Sequence, residues 1–369
     1  MRRMISFRDF DWTLLAFVLL ICSLGVLEIY SSTYGTKFAA SGGTALYMKQ
    51  VYWIIAGVVL MFVVSMINYQ VLLENSHWLY IASILSLVAV AVVGKRYLGA
   101  RRWIQLPGGQ HFQPSEWVKL VLILAMAKYF SEESDHSATF GDIMKGGLIA
   151  GVPMLLVLKQ PDLGTALTYV PVALMALFLG GIQFKHAAII ILCVGILAPT
   201  VWVKGLKPYQ KQRLTSFIHP EADSQKSGYQ VEQSKIAVGS GGIWGRGTRG
   251  GSQVQGAFLP EPHTDFIFAA WSEEHGFVGA VALLLLYFLL LMRLIHNAQT
   301  APDRAGGFVV MGVVAVLLFH VLVNAGMVVG FMPVTGIPLP LMSYGGSSLL
   351  FMFMAMGIVM NVRMRRFVN

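Results

Sequence analysis

Gly276-Phe277-Val278-Gly279-Ala280-Val281-Ala282-Leu283-Leu284-Leu285-Leu286-Tyr287-Phe288-Leu289-Leu290-Leu291-Met292 contains no charge and no proline, and its one side-chain polar atom is the Tyr287 hydroxyl. Such a run approaches the ~20 residues that an α-helix needs to cross a bilayer. Others of the kind lie at Leu14 to Leu27, Trp53 to Ile67, Leu79 to Val93 and Gly307 to Val323. The chain has 369 residues, 56% hydrophobic and 12% charged, where soluble domains carry roughly a quarter of their residues charged. A water-soluble core does not absorb that excess, so lipid is the solvent.

Working outward from Gly276, apolar runs and their breakers give ten candidate spans, at about residues 12–31, 50–67, 76–94, 115–130, 144–158, 163–181, 186–203, 265–292, 306–329 and 343–362. The sequence therefore predicts an all-α polytopic membrane protein, a single membrane domain over residues 1–369. The fifth and sixth spans are parted by Lys159-Gln160-Pro161-Asp162, where Pro161 ends one helix and Asp162 can cap the next. Met1-Arg2-Arg3 followed by an apolar stretch resembles a signal peptide. No small-x-small cleavage pattern follows, and Glu28 and Tyr30 close the run, so it reads as an uncleaved first span. Cys22 and Cys193 each lie in an apolar run and read as packing residues, with neither a disulfide nor a metal cage implied.

An even number of spans puts both termini on one side. With the termini inside, 11 Lys and Arg lie on the inner side and 7 on short outer segments, with 8 more on the long loop 204–264. Long translocated loops are largely exempt from the positive-inside rule, so this orientation is the one the charges favour. The net charge of +9 is spread over interhelical loops, which argues against nucleic acid and for anionic lipid and phosphate-bearing substrates.

The loop 204–264 opens basic, with Lys204, Lys207, Lys211 and Arg213, and has a possible short helix around Val231 to Val238. Gly239 to Gly251 then packs seven glycines into thirteen residues, a backbone able to bend tightly and approach a ligand closely. Asp265 follows in Pro262-His263-Thr264-Asp265-Phe266-Ile267-Phe268. It can cap the eighth span, and it stands where a basic, glycine-rich loop meets the membrane, which makes it the candidate catalytic base. Glu116 and Lys119 share a helical face just after Gln113-Pro114-Ser115; they read as a structural ion pair with a Ser115 cap, or as the lining of a polar pocket. Arg102 offers paired donors to phosphate. Trp103 can stack on a sugar or anchor at the interface. Lys159 is a phosphate candidate, and Asp162 a cap. Glu273 and Glu274, roughly 12 to 14 Å deeper than Asp265 on a continuous helix, read as members of a structural network with His275, His320 and Asn324. The nine histidines are dispersed and show no metal-ligand spacing.

Six stretches occur in order: Ala100 to Ile104, Gln113 to Glu116, Gln160 to Thr165, Gln233 to Gly242, His263 to Ala269 and Pro338 to Ser347. Together they resemble the SEDS family (shape, elongation, division, sporulation), over nearly the whole chain. The resemblance implies ten transmembrane helices, and polymerisation of lipid II into peptidoglycan glycan strands beside a class B penicillin-binding protein and other elongation-complex membrane proteins. It also implies a bacterial cytoplasmic membrane location, with cytoplasmic termini and an extracytoplasmic site. Asp265 matches the family's essential aspartate, and Glu116 with Lys119 a polar pair in its central cavity. Arg102, Trp103, Asp162, Gln233 and Lys235 fall on other motif positions, and Ser240 stands in the same glycine-rich motif. Gln233 to Ala237 and Pro338 to Leu341 look more like the elongation branch than the division branch.

One general base suffices for such a reaction, because pyrophosphate leaves without the protonation that a sugar alkoxide needs. Arg102, Lys159, Arg213 and Lys235 are the candidates to meet its charge. No cofactor is implied beyond a divalent cation, Mg or Mn, accompanying the pyrophosphate. The competing reading is a flippase or transporter of the lipid precursor, with Glu116 and Lys119 along its path; a scaffold that activates a transpeptidase is a third.

Overall fold

The computed structural model describes residues 9–34, 44–97, 100–105, 111–132, 138–205, 207–218 and 227–366. Helices dominate: α1 (Trp12–Thr33), α2 (Thr44–Met66), α3 (Tyr69–Glu74), α4 (Ser76–Val93), α5 (Pro114–Glu132), α6 (Phe140–Lys159), α7 (Leu163–Leu167), α8 (Tyr169–Leu179), α9 (Phe184–Thr200), α10 (Pro208–Ile218), α11 (Ser227–Ser240), α12 (Ser252–Gln255), α13 (Ile267–Gln299), α14 (Arg304–Val328) and α15 (Gly346–Met364). Each of the ten expected spans falls on helix. Among the described residues, α1, residues 46–66 of α2, α6, α13, α14 and α15 are long and apolar enough to cross a membrane, and α4, α7 with α8, and part of α9 are shorter apolar helices. α5 falls outside both groups because it carries Glu116, Lys119, Lys128 and Glu132. The chain is a multi-pass membrane protein.

Three departures from the expected pattern have local causes. The sixth span is two helices, α7 and α8, separated at Thr168. Strands β1 (Lys95–Tyr97), β2 (Ala100–Gln105) and β3 (His111–Phe112) form a small antiparallel sheet before α5, pairing Lys95 with Trp103 and Ile104 with Phe112. The loop 204–264 contains α10, all of α11 and α12, so it is far more ordered than one short helix.

The chain forms two compact units. One comprises Met1–Ile67, Ser216–Asn297 and Leu317–Asn369; the other comprises Asn68–Thr215 and Ala298–Val316. In the first, α2 and α15 pack closely through glycines. A Cβ on Gly57 would lie 2.2 Å from the Phe353 ring, one on Gly346 2.5 Å from Trp53, and one on Gly357 2.7 Å from the Met61 carbonyl. Lipid tails give helices no hydrophobic reason to associate, so small residues that let them approach supply the dispersion contact instead. On α13, Leu283, Leu286, Tyr287, Leu290 and Leu294 are buried while Leu285, Phe288 and Met292 are exposed to the lipid side.

α13 is not continuous. Gly276, at φ 67° and ψ −166°, breaks it, and the broken ends expose backbone groups that a membrane environment cannot leave unbonded. The glycine-rich segment bonds them pair by pair. Arg246 N and Gly247 N donate to the carbonyls of Glu273 (3.1 Å) and Glu274 (2.9 Å), while Phe277 N and Val278 N donate to the carbonyls of Gly242 (2.9 Å) and Ile243 (3.1 Å). A Cβ on Gly241 would lie 2.1 Å from the Ser272 carbonyl and one on Gly245 2.2 Å from that of Glu274. The glycines are there for this close approach.

Ahead of α1, Asp11 caps the helix through Leu14 N (3.2 Å) and accepts from Arg293 Nη2 (2.9 Å), Arg363 Nη1 (3.0 Å) and Asn297 Nδ2 (2.8 Å). Burial pushes the Asp11 carboxyl up, but the hydrogen bonds from Arg293, Asn297 and Leu14 and the charge of Arg363 outweigh it, and the group stays below its ordinary value.

Two outcomes follow from these contacts. Gly276→Ala forces a side chain into a positive-φ position with a Cβ 2.3 Å from Gly245 N, and thermal unfolding in detergent is expected to show a loss of about 2 kcal/mol or more. Because the folded pKa of Asp11 is depressed, its contribution is complete above the ordinary carboxylate value and disappears as pH falls through the lowered one. Asp11→Asn is therefore expected to cost about 3 kcal/mol at pH 7, with the gap to the parent narrowing as pH falls below the ordinary carboxylate value. A gap unchanged by acid would contradict this assignment.

Candidate active site

In the second unit, the small sheet and the entry to α5 bring Arg102, Gln113, Glu116, Lys119 and Asp162 into one polar cluster. Pro161 cannot continue α6, and Asp162 caps α7 by accepting from Thr165 N (3.2 Å), as the sequence predicts. The same carboxylate accepts from Thr165 Oγ1 (3.0 Å) and Gln113 Nε2 (2.8 Å), and lies 3.6 Å from Arg102 Nη1. Asp162 is thus both cap and ion-pair partner. Arg102 keeps about a third of its side chain, 32%, open, and Trp103 beside it on β2 is half-buried.

Lys119 Nζ donates to Glu116 Oε2 at 2.9 Å, and both residues are buried. This contact is the structural ion pair of the first reading, and Tyr169 donates its hydroxyl to the Ser115 carbonyl (3.0 Å). Ser115 does not act as the expected cap: α5 starts at Pro114, and Ser115 Oγ is buried without a hydrogen-bond partner among the described residues. Lys159 is exposed at the end of α6, and Arg213 is half-buried on α10.

Asp265 lies in the first unit, half-buried, in the turn just before Ile267. α13 therefore begins two residues later than expected. Three successive main-chain carbonyls fix this turn. His263 O accepts from Tyr344 N (2.9 Å), Thr264 O from Ser343 Oγ (2.7 Å) and Asp265 O from Asn324 Nδ2 (2.8 Å). Asn324 Nδ2 also donates to Ile337 O (2.8 Å), so the segment 337–344 and α14 together position the Asp265 backbone. The sequence reading singled out Asp265 but gave Ser343 and Tyr344 no part in placing it. They stand in the Pro338 to Ser347 motif, which was the available signal. Burial holds the His263 imidazole below its ordinary pKa, against the pull of Glu261 at 3.7 Å, so it is neutral at pH 7 and supplies no cation.

On α11, Gln233 is half-buried and Lys235 exposed. Ser234 Oγ donates to Val328 O (2.9 Å), and Lys235 passes over Gly330, where a Cβ would lie 2.1 Å from its side chain. Ser240 is tied to structure: its hydroxyl donates to Ala237 O (2.9 Å) and lies 3.2 Å from Glu273 Oε1.

The acidic pair takes partners other than those expected. Glu273 accepts from Gln253 N (2.8 Å) and Val254 N (3.1 Å) at the start of α12, with Ser252 Oγ at 3.3 Å. Glu274 accepts from Ser31 Oγ (2.5 Å) and Arg249 N (3.0 Å). His320 instead meets the Pro338 carbonyl (3.2 Å), and Asn324 the carbonyls already described.

Comparison with known proteins places these features in a family. A family model for FtsW, RodA and SpoVE, described as "Cell cycle protein", matches residues 11–367. Peptidoglycan glycosyltransferase MrdB of Escherichia coli K12 is 38% identical over 356 residues, covering 96% of this chain and 94% of that protein. Among solved structures, a chain of a peptidoglycan synthase complex, described as coordinating polymerization and crosslinking, superposes with a TM-score of 0.83 at 33% identity, covering 98% of this chain and 99% of that one. The rod shape determining protein RodA of Thermus thermophilus gives 0.71 at 32% identity, covering 97% and 98%.

The buried pair on α5 is open to a direct measurement. Lys119→Met leaves the Glu116 carboxylate without its ammonium at a buried position, and is expected to cost about 3 to 5 kcal/mol in thermal unfolding. Adding Glu116→Leu is expected to recover most of that loss. Equal destabilisation by the single and double replacements would show that the ion pair is not what the site requires.

Proposed function

The chain belongs to the FtsW/RodA/SpoVE family and is a peptidoglycan glycosyltransferase, and from that premise we propose that it polymerises lipid II during cell elongation with Asp265 as general base. The observation that supports this role most is the fixing of three consecutive carbonyls, at His263, Thr264 and Asp265, by Tyr344, Ser343 and Asn324. A base has to be held in place before substrate arrives if orientation is to lower the barrier.

In the proposed reaction Asp265 takes the proton of the GlcNAc 4-hydroxyl of lipid II. That oxygen bonds to the anomeric carbon of the MurNAc at the end of the growing strand. The bond from this carbon to the pyrophosphate oxygen breaks, its electron pair leaves with the polyprenyl diphosphate, and the anomeric configuration inverts. The leaving group needs no proton, so the second carboxylate of a glycosidase is dispensable. One base contributes about 10² to 10⁴-fold. Charge developing on the diphosphate calls for cations; Lys235, Lys159 and the open third of Arg102 reach water, and Arg213 is the fourth candidate. A divalent ion, Mg or Mn, accompanying the pyrophosphate would add positive charge to these cations. Glu116, Lys119, Asp162, Trp103 and Gln233 belong to the substrate-binding surfaces in this reading, and Ser240 contributes by holding the loop.

The setting we propose is the bacterial cytoplasmic membrane, with cytoplasmic termini and the reaction at the outer face. The working form is a complex with a class B penicillin-binding protein transpeptidase and other elongation-complex membrane proteins. The support is the likeness to a chain of a peptidoglycan synthase complex.

The decisive experiment is strand synthesis from labelled lipid II by purified protein with its transpeptidase partner. Asp265→Asn keeps the side chain's size and removes its basicity, and is expected to lower turnover at least about 100-fold while leaving the unfolding temperature unchanged. Turnover near that of the parent removes Asp265 from the mechanism.

A further inference from the structure

Glu28 is an unusual residue for its place. It lies in α1, wholly buried, and neither Oε1 nor Oε2 has a hydrogen-bond partner among the described residues. A carboxylate removed from water without a compensating partner is costly, and Glu28 sits beside a second one. One ligand atom each from Glu28, Glu274 and His275 lie within 4.8 Å of one another.

His275 carries the argument beyond two crowded acids. Its ring stacks on Trp271, with centroids 3.7 Å apart and an interplanar angle of 17°, and its Nδ1 lies 3.3 Å from the Trp271 carbonyl. A carbonyl only accepts, so this contact puts the proton on Nδ1 and leaves the Nε2 lone pair available. Imidazoles that bind metals are oriented this way, by a backbone acceptor on the other nitrogen. Glu274 is steadied likewise: Ser31 Oγ and Arg249 N donate to its Oε1 (2.5 and 3.0 Å), while the same Ser31 hydroxyl is the one donor to Oε2 among the described residues (2.7 Å). Each carboxylate oxygen carries two lone pairs, so Oε2 can still bind a cation.

We propose that Glu28, Glu274 and His275 form a site for one divalent transition-metal cation, Mn²⁺ or Zn²⁺, linking α1 to the break in α13. Two carboxylates and an imidazole match the ligand preferences of these ions. A dication neutralises both carboxylates at once, which a single shared proton does not, and a shared proton gives the oriented imidazole no task. Ligands on ~2.1 Å bonds around a tetrahedral ion lie roughly 3.4 Å apart, so side-chain adjustment closes the set. Arg249 N donates to Glu274, and the ion thereby steadies the glycine-rich segment that bonds the α13 break. The three residues stand apart from Asp265 in sequence and in role. The site is structural, and its occupancy does not depend on Asp265 being the base.

The test uses the full-length protein in detergent, stripped with chelator and free of lipid substrate, so that ions bound to pyrophosphate do not contribute. Mn²⁺ and Zn²⁺ are added separately, with binding read by equilibrium dialysis and stability by thermal unfolding. The parent and Asp265→Asn are expected to bind one equivalent of one of these ions per chain, with a rise in Tm of about 3 °C or more at saturation. Glu28→Gln and His275→Gln are expected to bind at least tenfold more weakly and to lose the rise. The proposal is overturned by the absence of saturable binding in the parent, which would leave the acids sharing a proton, or by unchanged binding in either variant. Should Glu28→Gln fail to fold, His275→Gln decides alone.

Discussion

A helix broken inside a membrane protein must find hydrogen-bond partners for the groups it releases, and the break at Gly276 sets the terms for much of the first unit. Residues 241–251 cannot be replaced by an arbitrary loop. They supply two donors, Arg246 N and Gly247 N, and two acceptors, the carbonyls of Gly242 and Ile243, in register with the break. The requirement for contact at backbone distance accounts for Gly241 and Gly245, which face the carbonyls of Ser272 and Glu274. Helix α13 itself thus explains these two glycines, and close approach to a ligand is not needed to account for them.

The two acids before the break extend the same arrangement to side chains. Glu273 receives the first backbone amides of α12, where a helix N-terminus favours negative charge, while Glu274 reaches Ser31 on α1 and the backbone at Arg249. A segment rich in glycine loses much conformational entropy on ordering. Charge-assisted bonds to buried carboxylates, stronger than neutral ones, offset that loss. Loop and helix are therefore each other's condition.

Much of this was legible in the chain. All ten spans could be drawn from apolar runs, because in lipid length and hydropathy decide placement. Asp162 as a cap and Glu116 with Lys119 as neighbours were legible too, because both follow from spacing of three residues, a purely local matter. The partners of Glu273 and Glu274 were not. Ser31 and Glu274 are separated by 243 positions, and helical periodicity says nothing about contacts at that range. The break at Gly276 was hidden because a lone glycine in an apolar run is common in membrane helices, and nothing local reveals a positive φ. The small sheet before α5 escaped for a related reason: strands of two to six residues are too short to show alternation.

The division of labour among the acids bears on where chemistry resides. Asp11, Glu116, Asp162, Glu273 and Glu274 each hold a defined set of cations, hydroxyls or backbone amides. At Asp265 the structure invests in the main chain: Asn324 takes its carbonyl, and Ser343 and Tyr344 take the two before it. These bonds fix the main chain that carries the Asp265 side chain. Ser343 joins the two halves of that arrangement, because its hydroxyl donates to Thr264 O while accepting from Leu339 N (2.9 Å). The proline-flanked turn at 338–340 is in this way coupled to the reacting segment, and its geometry is transmitted to the base through one hydroxyl.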